Sequence, residues 1–180
     1  MAMKKLVLLL VLVAIVAGCK RGEKPAGSGK ATPAATATGH EVGASMPEYS
    51  AMNLDGTKFD LASRRGKVVL LNVWATWCGP CIYEIPELQR IHDAYAARGF
   101  EVVGVSVDES GIESVKEFVQ DKNMRYPVAL DPQGKLASLL QTSVLPTSVL
   151  VDRGGKIVWK KYGAILENDQ ELDAAIKKAL

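Results

Sequence analysis

Histidine occurs only twice and cysteine three times in 180 residues, and that scarcity restricts the available chemistry. A structural zinc site takes four ligands. Beyond the pair Cys78 and Cys81, the Cys and His side chains on offer are Cys19, His40 and His92, so a closed zinc centre is not expected. Also missing is an apolar run of the ~20 residues needed to cross a bilayer as a helix; Leu6 to Ala17 stops short of it. No basic stretch interleaved with aromatics occurs, which argues against nucleic acid as a partner. No internal repeat is visible either.

What is present begins with a leader. Met1 to Lys5 hold two lysines and precede the short apolar run, the shape of a secretory signal peptide. The run ends in Val16-Ala17-Gly18-Cys19, which resembles the lipobox of bacterial lipoproteins, so residues 1–18 are expected to be removed and Cys19 to carry lipid. The thiol count then resolves as one anchor plus one pair. Loss of Lys4 and Lys5 leaves 22 − 2 = 20 basic against 20 acidic residues, a balanced chain. Lys20-Arg21 reads as membrane-proximal charge. Lys20, not aspartate, follows the anchor; by the sorting habit of Gram-negative lipoproteins this points to the outer membrane, and a Gram-positive host would hold the protein on its outer face.

Residues 19–45 are rich in Gly, Ser, Ala, Thr, Pro and Lys and read as an anchor and disordered tether, with His40 a solvated linker residue. Residues 46–180 read as one domain. Asp55-Gly56 between two short strands predicts a hairpin. Lys67 to Trp74 and Phe100 to Val107 are apolar runs that suit strands buried on both faces. Ile82, Ile85, Leu88, Ile91 and Tyr95 recur at helical spacing up to a stop at Gly99, with His92 packed on that helix. Ser110-Gly-Ile-Glu113 resembles a capping box and predicts a helix over 112–122. A strand over 126–130, a short helix over 135–140, a second hairpin over 147–162 and an apolar stripe at Leu172, Ile176 and Leu180 complete the chain. The pattern is an α/β domain, a mixed central sheet flanked by helices on both faces. A site at the carboxyl end of its first long strand lies where open α/β sheets bind ligands.

That position holds Trp77-Cys78-Gly79-Pro80-Cys81. Two cysteines at i and i+3, where a strand turns into a helix, can close a disulfide or separate as dithiol with little backbone movement. The first would cap the helix, where its thiolate accepts backbone N–H groups and feels the dipole, so its pKa should fall below roughly 8.5. Cys78 is therefore the expected nucleophile and Cys81 the resolving thiol. A purely structural bridge is the weaker reading, because so short a ring restrains little unfolded chain. Delivery of Cu(I) through the two thiols stays open on these residues alone.

WCGPC between an apolar strand and a helix resembles the active site of the thioredoxin superfamily. LLNVWATWCGPCIYEIPEL more closely resembles its TlpA/ResA-like branch of membrane-tethered thiol–disulfide oxidoreductases, and the likeness runs from about Met46 to Leu180. It implies a thioredoxin-like fold with an N-terminal β-hairpin and a central insert between Asp108 and Ser143. It implies a cis bond before Pro146, with Leu145 pairing its backbone to substrate. Trp77, Gly79, Pro80, Leu145 and Pro146 become the substrate-contacting set, with Trp74 left to the core and Pro86 kinking the helix. Where thioredoxin has a buried aspartate this chain has Asn72, which cannot titrate; the branch instead places a glutamate three residues after the second cysteine, here Glu84, expected to take the proton of Cys81.

The resemblance implies no cofactor beyond a redox-active Cys78–Cys81 disulfide. It implies a protein disulfide or thiol as substrate, a membrane electron-donor protein, and apocytochrome c thiols as one target. Gly79-Pro80 is the thioredoxin dipeptide, whose parent protein is a reductant of roughly −270 mV. Two rivals stand beside this reading. A peroxiredoxin-type thiol peroxidase would want Thr-x-x-Cys, which Ala75-Thr76-Trp77-Cys78 fits poorly; a Cu(I) metallochaperone would use the same thiol pair.

Overall fold

The computed structural model describes residues 39–180. The expected leader, the Cys19 anchor and the tether as far as residue 38 lie outside the described residues. No helix among the described residues is long and apolar enough to cross a membrane.

Seven strands form one sheet in the order β2-β1-β5-β4-β3-β6-β7. Its centre is β3 (Val68–Trp74) beside β4 (Phe100–Ser106), each buried at every position, as expected of strands sandwiched between helical layers. They pair in parallel, with Leu70 opposite Val102 and Asn72 opposite Gly104; β5 (Val128–Leu130) continues in parallel on β4. The margins reverse direction. The hairpin of β1 (Ser50–Asn53) and β2 (Lys58–Asp60) adds antiparallel to β5. On the other side, β6 (Thr147–Val151) runs antiparallel to β3 and carries β7 (Ile157–Tyr162).

Strand alternation divides the core in two. Val68, Leu70 and Trp74 face α1 (Gly79–Tyr95), α2 (Ile112–Asp121) and α4 (Gln170–Ala179), meeting Ile85, Leu88, Val115, Leu172 and Ile176. Val69, Leu71 and Val73 face Leu136 and Leu140 of the α3 region (helix Lys135–Leu139) together with Met46, Tyr49 and Phe59. Trp74 is in the core as expected, 2 % exposed and tilted on Phe118 at 5.4 Å between ring centroids. Its indole approaches β4 so closely that a Cβ at position 104 would lie 2.9 Å from Trp74 Nε1. Only glycine fits opposite Asn72, and it lets this ring reach the sheet.

Helix α1 ends as the sequence predicts. Its last turn tightens into a 3-10 turn over Ala96–Arg98, and Gly99 stops it in the left-handed region at φ 86°. Pro86 lies inside the helix. His92 packs as expected, its Nδ1 accepting the Val102 N–H at 3.2 Å, and burial pushes its pKa below the ordinary value. The capping box at Ser110 does not form. Gly111, at φ 93°, occupies the N-cap of α2 without a side-chain bond, so Glu113 falls one position too early to reach back.

The chain also packs ahead of Met46. Gly43 donates to the Ile157 carbonyl at 2.7 Å, Ile157 donates to Ala44 at 2.9 Å, Ser45 bridges Lys156, and Lys160 Nζ donates to the His40 carbonyl. Residues 39–45, tether-like in composition, thus run along the start of β7.

Candidate active site

The carboxyl end of β3 runs through Ala75, Thr76 and Trp77 into α1, and Cys78 and Cys81 sit at that junction in a disulfide with Cα atoms 5.2 Å apart. Cys78 is the N-cap residue of α1 in extended conformation, and its Sγ accepts the Cys81 N–H at 3.3 Å. Pro80, in the first turn, has no N–H to leave unsatisfied and is pre-set for a helix start. Cys78 therefore faces the helix N–H groups and the positive dipole end. Both cysteines are buried, Cys81 the more deeply.

Glu84 lies one turn after Cys81 and is 1 % exposed, not on the surface where the first turn of a helix often carries acids. Its Oε1 accepts Asn72 Nδ2–H at 2.7 Å and its Oε2 accepts the Ile165 N–H at 2.8 Å. The same Asn72 amide also donates to Ser148 Oγ on β6 at 2.9 Å. Desolvation outweighs these two hydrogen bonds and the charge of Lys161, and raises the Glu84 pKa to about 7. Lys161 pairs with Asp169 at 2.5 Å. The Tyr126 phenol is pushed strongly upward by burial and by the facing Glu84 charge.

Sequence reasoning missed the carboxylate that holds the loop. Asp108, 4 % exposed, accepts Thr76 N–H at 3.0 Å, Thr76 Oγ1–H at 2.6 Å and Ser106 Oγ–H at 2.7 Å. It fixes the residues between β3 and Cys78. The available signal was an acidic residue just past the strand beside β3, but Thr76, the partner it holds in the loop, lies 32 positions away. Tyr83 was missed as well: it is 85 % exposed on α1, two residues past Cys81.

The opposite wall is the segment before β6. Leu145-Pro146 is a cis peptide bond, and Pro146 is buried. Thr147 Oγ1 donates to the Val144 carbonyl at 2.7 Å, and Gly163 N–H donates to the Pro146 carbonyl at 2.8 Å. Among the described residues, the Leu145 N–H and C=O make no hydrogen bond. Trp77, 72 % exposed, and Leu145 line one groove of about 340 Å³ with Val107, Pro132, Val144 and Glu109. Gly79 and Pro80 are exposed beside the disulfide. The structure thus places Cys78, Cys81 and Glu84 at the start of one helix and Trp77 with Leu145 on one groove; Cys19 is outside the described residues.

A family model described as Redoxin matches residues 41–176. Thiol-disulfide oxidoreductase ResA of Bacillus cereus (strain ATCC 10987 / NRS 248) is 34% identical over 138 residues, covering 77% of this chain and 78% of that protein. ResA of Bacillus subtilis (strain 168) is 32% identical over 126 residues, 70% of each. Among solved structures, a thiol:disulfide interchange protein of the thioredoxin family from Chlorobium tepidum TLS superposes with a TM-score of 0.65 at 31% identity, covering 75% of this chain and 94% of that one. A secreted thiol-disulfide isomerase from Corynebacterium glutamicum gives 0.69 at 26% identity, over 89% and 98%.

Proposed function

The chain belongs to the Redoxin family, as a ResA-like thiol–disulfide oxidoreductase of thioredoxin fold, and from that premise we propose that it reduces protein disulfides outside the cytoplasm. The observation that carries the reading is the Cys78–Cys81 disulfide capping α1 with the buried Glu84 carboxyl one turn behind it. In the dithiol form, the helix dipole and the Cys81 N–H favour a Cys78 thiolate. That thiolate attacks one sulfur of a substrate disulfide; a mixed disulfide forms and the other substrate sulfur leaves as thiolate. Glu84 takes the Cys81 proton, and the Cys81 thiolate then attacks Cys78 Sγ. The second substrate thiol is released and the Cys78–Cys81 bond remains, two electrons having passed to substrate.

Trp77, Gly79 and Pro80 form one rim for an extended substrate segment, and Leu145, ahead of Pro146, offers its unused N–H and C=O in strand fashion. A return to dithiol needs electrons from a membrane dithiol protein. Cys19 serves as lipid anchor, and apocytochrome c thiols are the substrate that the family suggests.

Cys78→Ser is expected to abolish reduction of a model protein disulfide such as insulin, and Cys81→Ser to accumulate a mixed disulfide visible on a non-reducing gel. A Cys81→Ser chain that traps nothing overturns the relay. Peroxide turnover by the native protein comparable to its disulfide reduction would favour a peroxidase instead.

A further inference from the structure

A cavity of about 630 Å³ lies at the far end of the strands from the cysteine pair. Val69 opposes Val151, so the turn after β6 sits at the amino end of β3, and that turn lines the cavity. Its lining includes the apolar Val42, Ile157, Val158 and Ala175 and the charged Asp152, Arg153 and Lys178.

Further cations surround it. Arg153 donates Nη2–H to the Arg98 carbonyl at 3.3 Å, and its own carbonyl accepts the Gly66 N–H at 3.0 Å. The neighbouring Arg65 guanidinium lies directly against Gly155, where a Cβ would come within 0.9 Å of it. Arg65, Arg98, Arg153 and Lys178 are all exposed, and none forms an ion pair among the described residues. Most acids at this end are paired with cations, and the one on the cavity lining, Asp152, is outnumbered by the unpaired cations. Glu101 pairs with Arg64 and Lys67, Asp173 with Lys177, and Glu41 with His40, while Asp152 accepts the Lys156 N–H.

The first described residues of the chain lie at this same end. Val42 and Gly43 line the cavity, so the chain coming from Cys19 joins the domain here. Only 20 residues of sequence, 19–38, separate Cys19 from this point.

We propose that this cationic end docks on anionic phospholipid. Its Arg and Lys side chains meet headgroup phosphates at the cavity rim, and the Cys78–Cys81 pair is turned away from the bilayer toward incoming substrate. The proposal rests on anchoring through Cys19. Surface cations at an anionic leaflet add roughly fivefold in partition each when they reach it, so even two effective ones make a large difference.

The test is flotation of the full chain, as processed by an expressing bacterium, with vesicles of phosphatidylcholine alone or with about 30% phosphatidylglycerol. Held by lipid on either kind of vesicle, the native chain offered both kinds together should partition to the anionic ones by about tenfold or more, and about 0.5 M salt should remove the preference. Arg65, Arg98, Arg153 and Lys178 changed together to Gln should lose most of it, and Arg98→Gln with Lys178→Gln alone should lose part. Lys20 and Arg21 are common to every chain compared, so any difference belongs to the domain. Hydrogen exchange on anionic vesicles should slow at residues 64–67 and 152–156 and stay unchanged at 77–81. Equal preference in native and variant chains, or protection centred on Trp77, overturns the proposal, as does capture by an acidic protein without any vesicle preference. A native chain that ignores neutral vesicles yet keeps the variant-sensitive anionic preference overturns the Cys19 anchor alone.

Discussion

Asn72 on the central strand donates its side-chain amide to Glu84 on the active-site helix at 2.7 Å, and both residues are 1 % exposed. The residue that cannot titrate thus holds the one that can. Removing this donor leaves Glu84 Oε1 unpaired in a dry site. Asn72→Leu is expected to destabilise the domain by about 1–3 kcal/mol. Because the Asn72 hydrogen bond lowers the Glu84 pKa, its loss should move the Glu84 titration above about 7, read by carboxyl-carbon NMR.

Glu84 also makes stability depend on pH. Its pKa rises from 4.5 to about 7 on folding, so the native state binds the extra proton. That stabilisation is fully present below pH ~4.5 and is lost as pH rises through about 7. Two to three pKa units correspond to about 3 kcal/mol. Denaturant unfolding of the oxidised protein at a series of pH values should show this loss in the native chain, and Glu84→Gln should flatten it.

Asp108 holds Thr76 through both backbone and hydroxyl, and the residue after Trp77 is the proposed nucleophile. Asp108→Asn keeps the volume but forfeits the charge-assisted bonds. Stability should fall by about 1–3 kcal/mol, and kcat/KM for protein disulfides should drop roughly tenfold as the loop loosens. Thr76→Val should reproduce part of both effects.

Trp77 presents most of its surface to solvent, so its truncation costs the fold little. Trp77→Ala is expected to shift Tm by no more than about 2 °C. KM for a protein disulfide should rise several-fold while kcat changes less, the pattern of lost ground-state contact. Equal loss of kcat and kcat/KM would instead place the indole in the transition state.

The central sheet was legible in the sequence because β3 and β4 are continuous apolar runs and α1 carries an unbroken helical stripe. The thiol pair was legible because its chemistry needs that junction. Glu84 could be singled out only through family likeness, since nothing in its local sequence says that position 84 of α1 faces inward; the Ile165 N–H that meets it lies 81 residues on. Asp108 and Thr76 are joined across two strands, a relation that neither periodicity nor local spacing encodes. Residues 39–45 pack through backbone hydrogen bonds to β7, which composition cannot register. The Ser110 box failed on a single backbone angle, the positive φ at Gly111.

The order of these partners along the chain sets a timetable for synthesis. Cys78 and Cys81 leave the ribosome well before Asp108, the Leu145-Pro146 wall and the Ile165 amide that binds Glu84. A growing chain therefore carries its thiols before it has the groups that govern them. Full control of the pair arrives only when β6, β7 and the segment at Ile165 have been made, so a chain cut short before residue 165 keeps its cysteines but lacks one of the two donors that hold its buried acid.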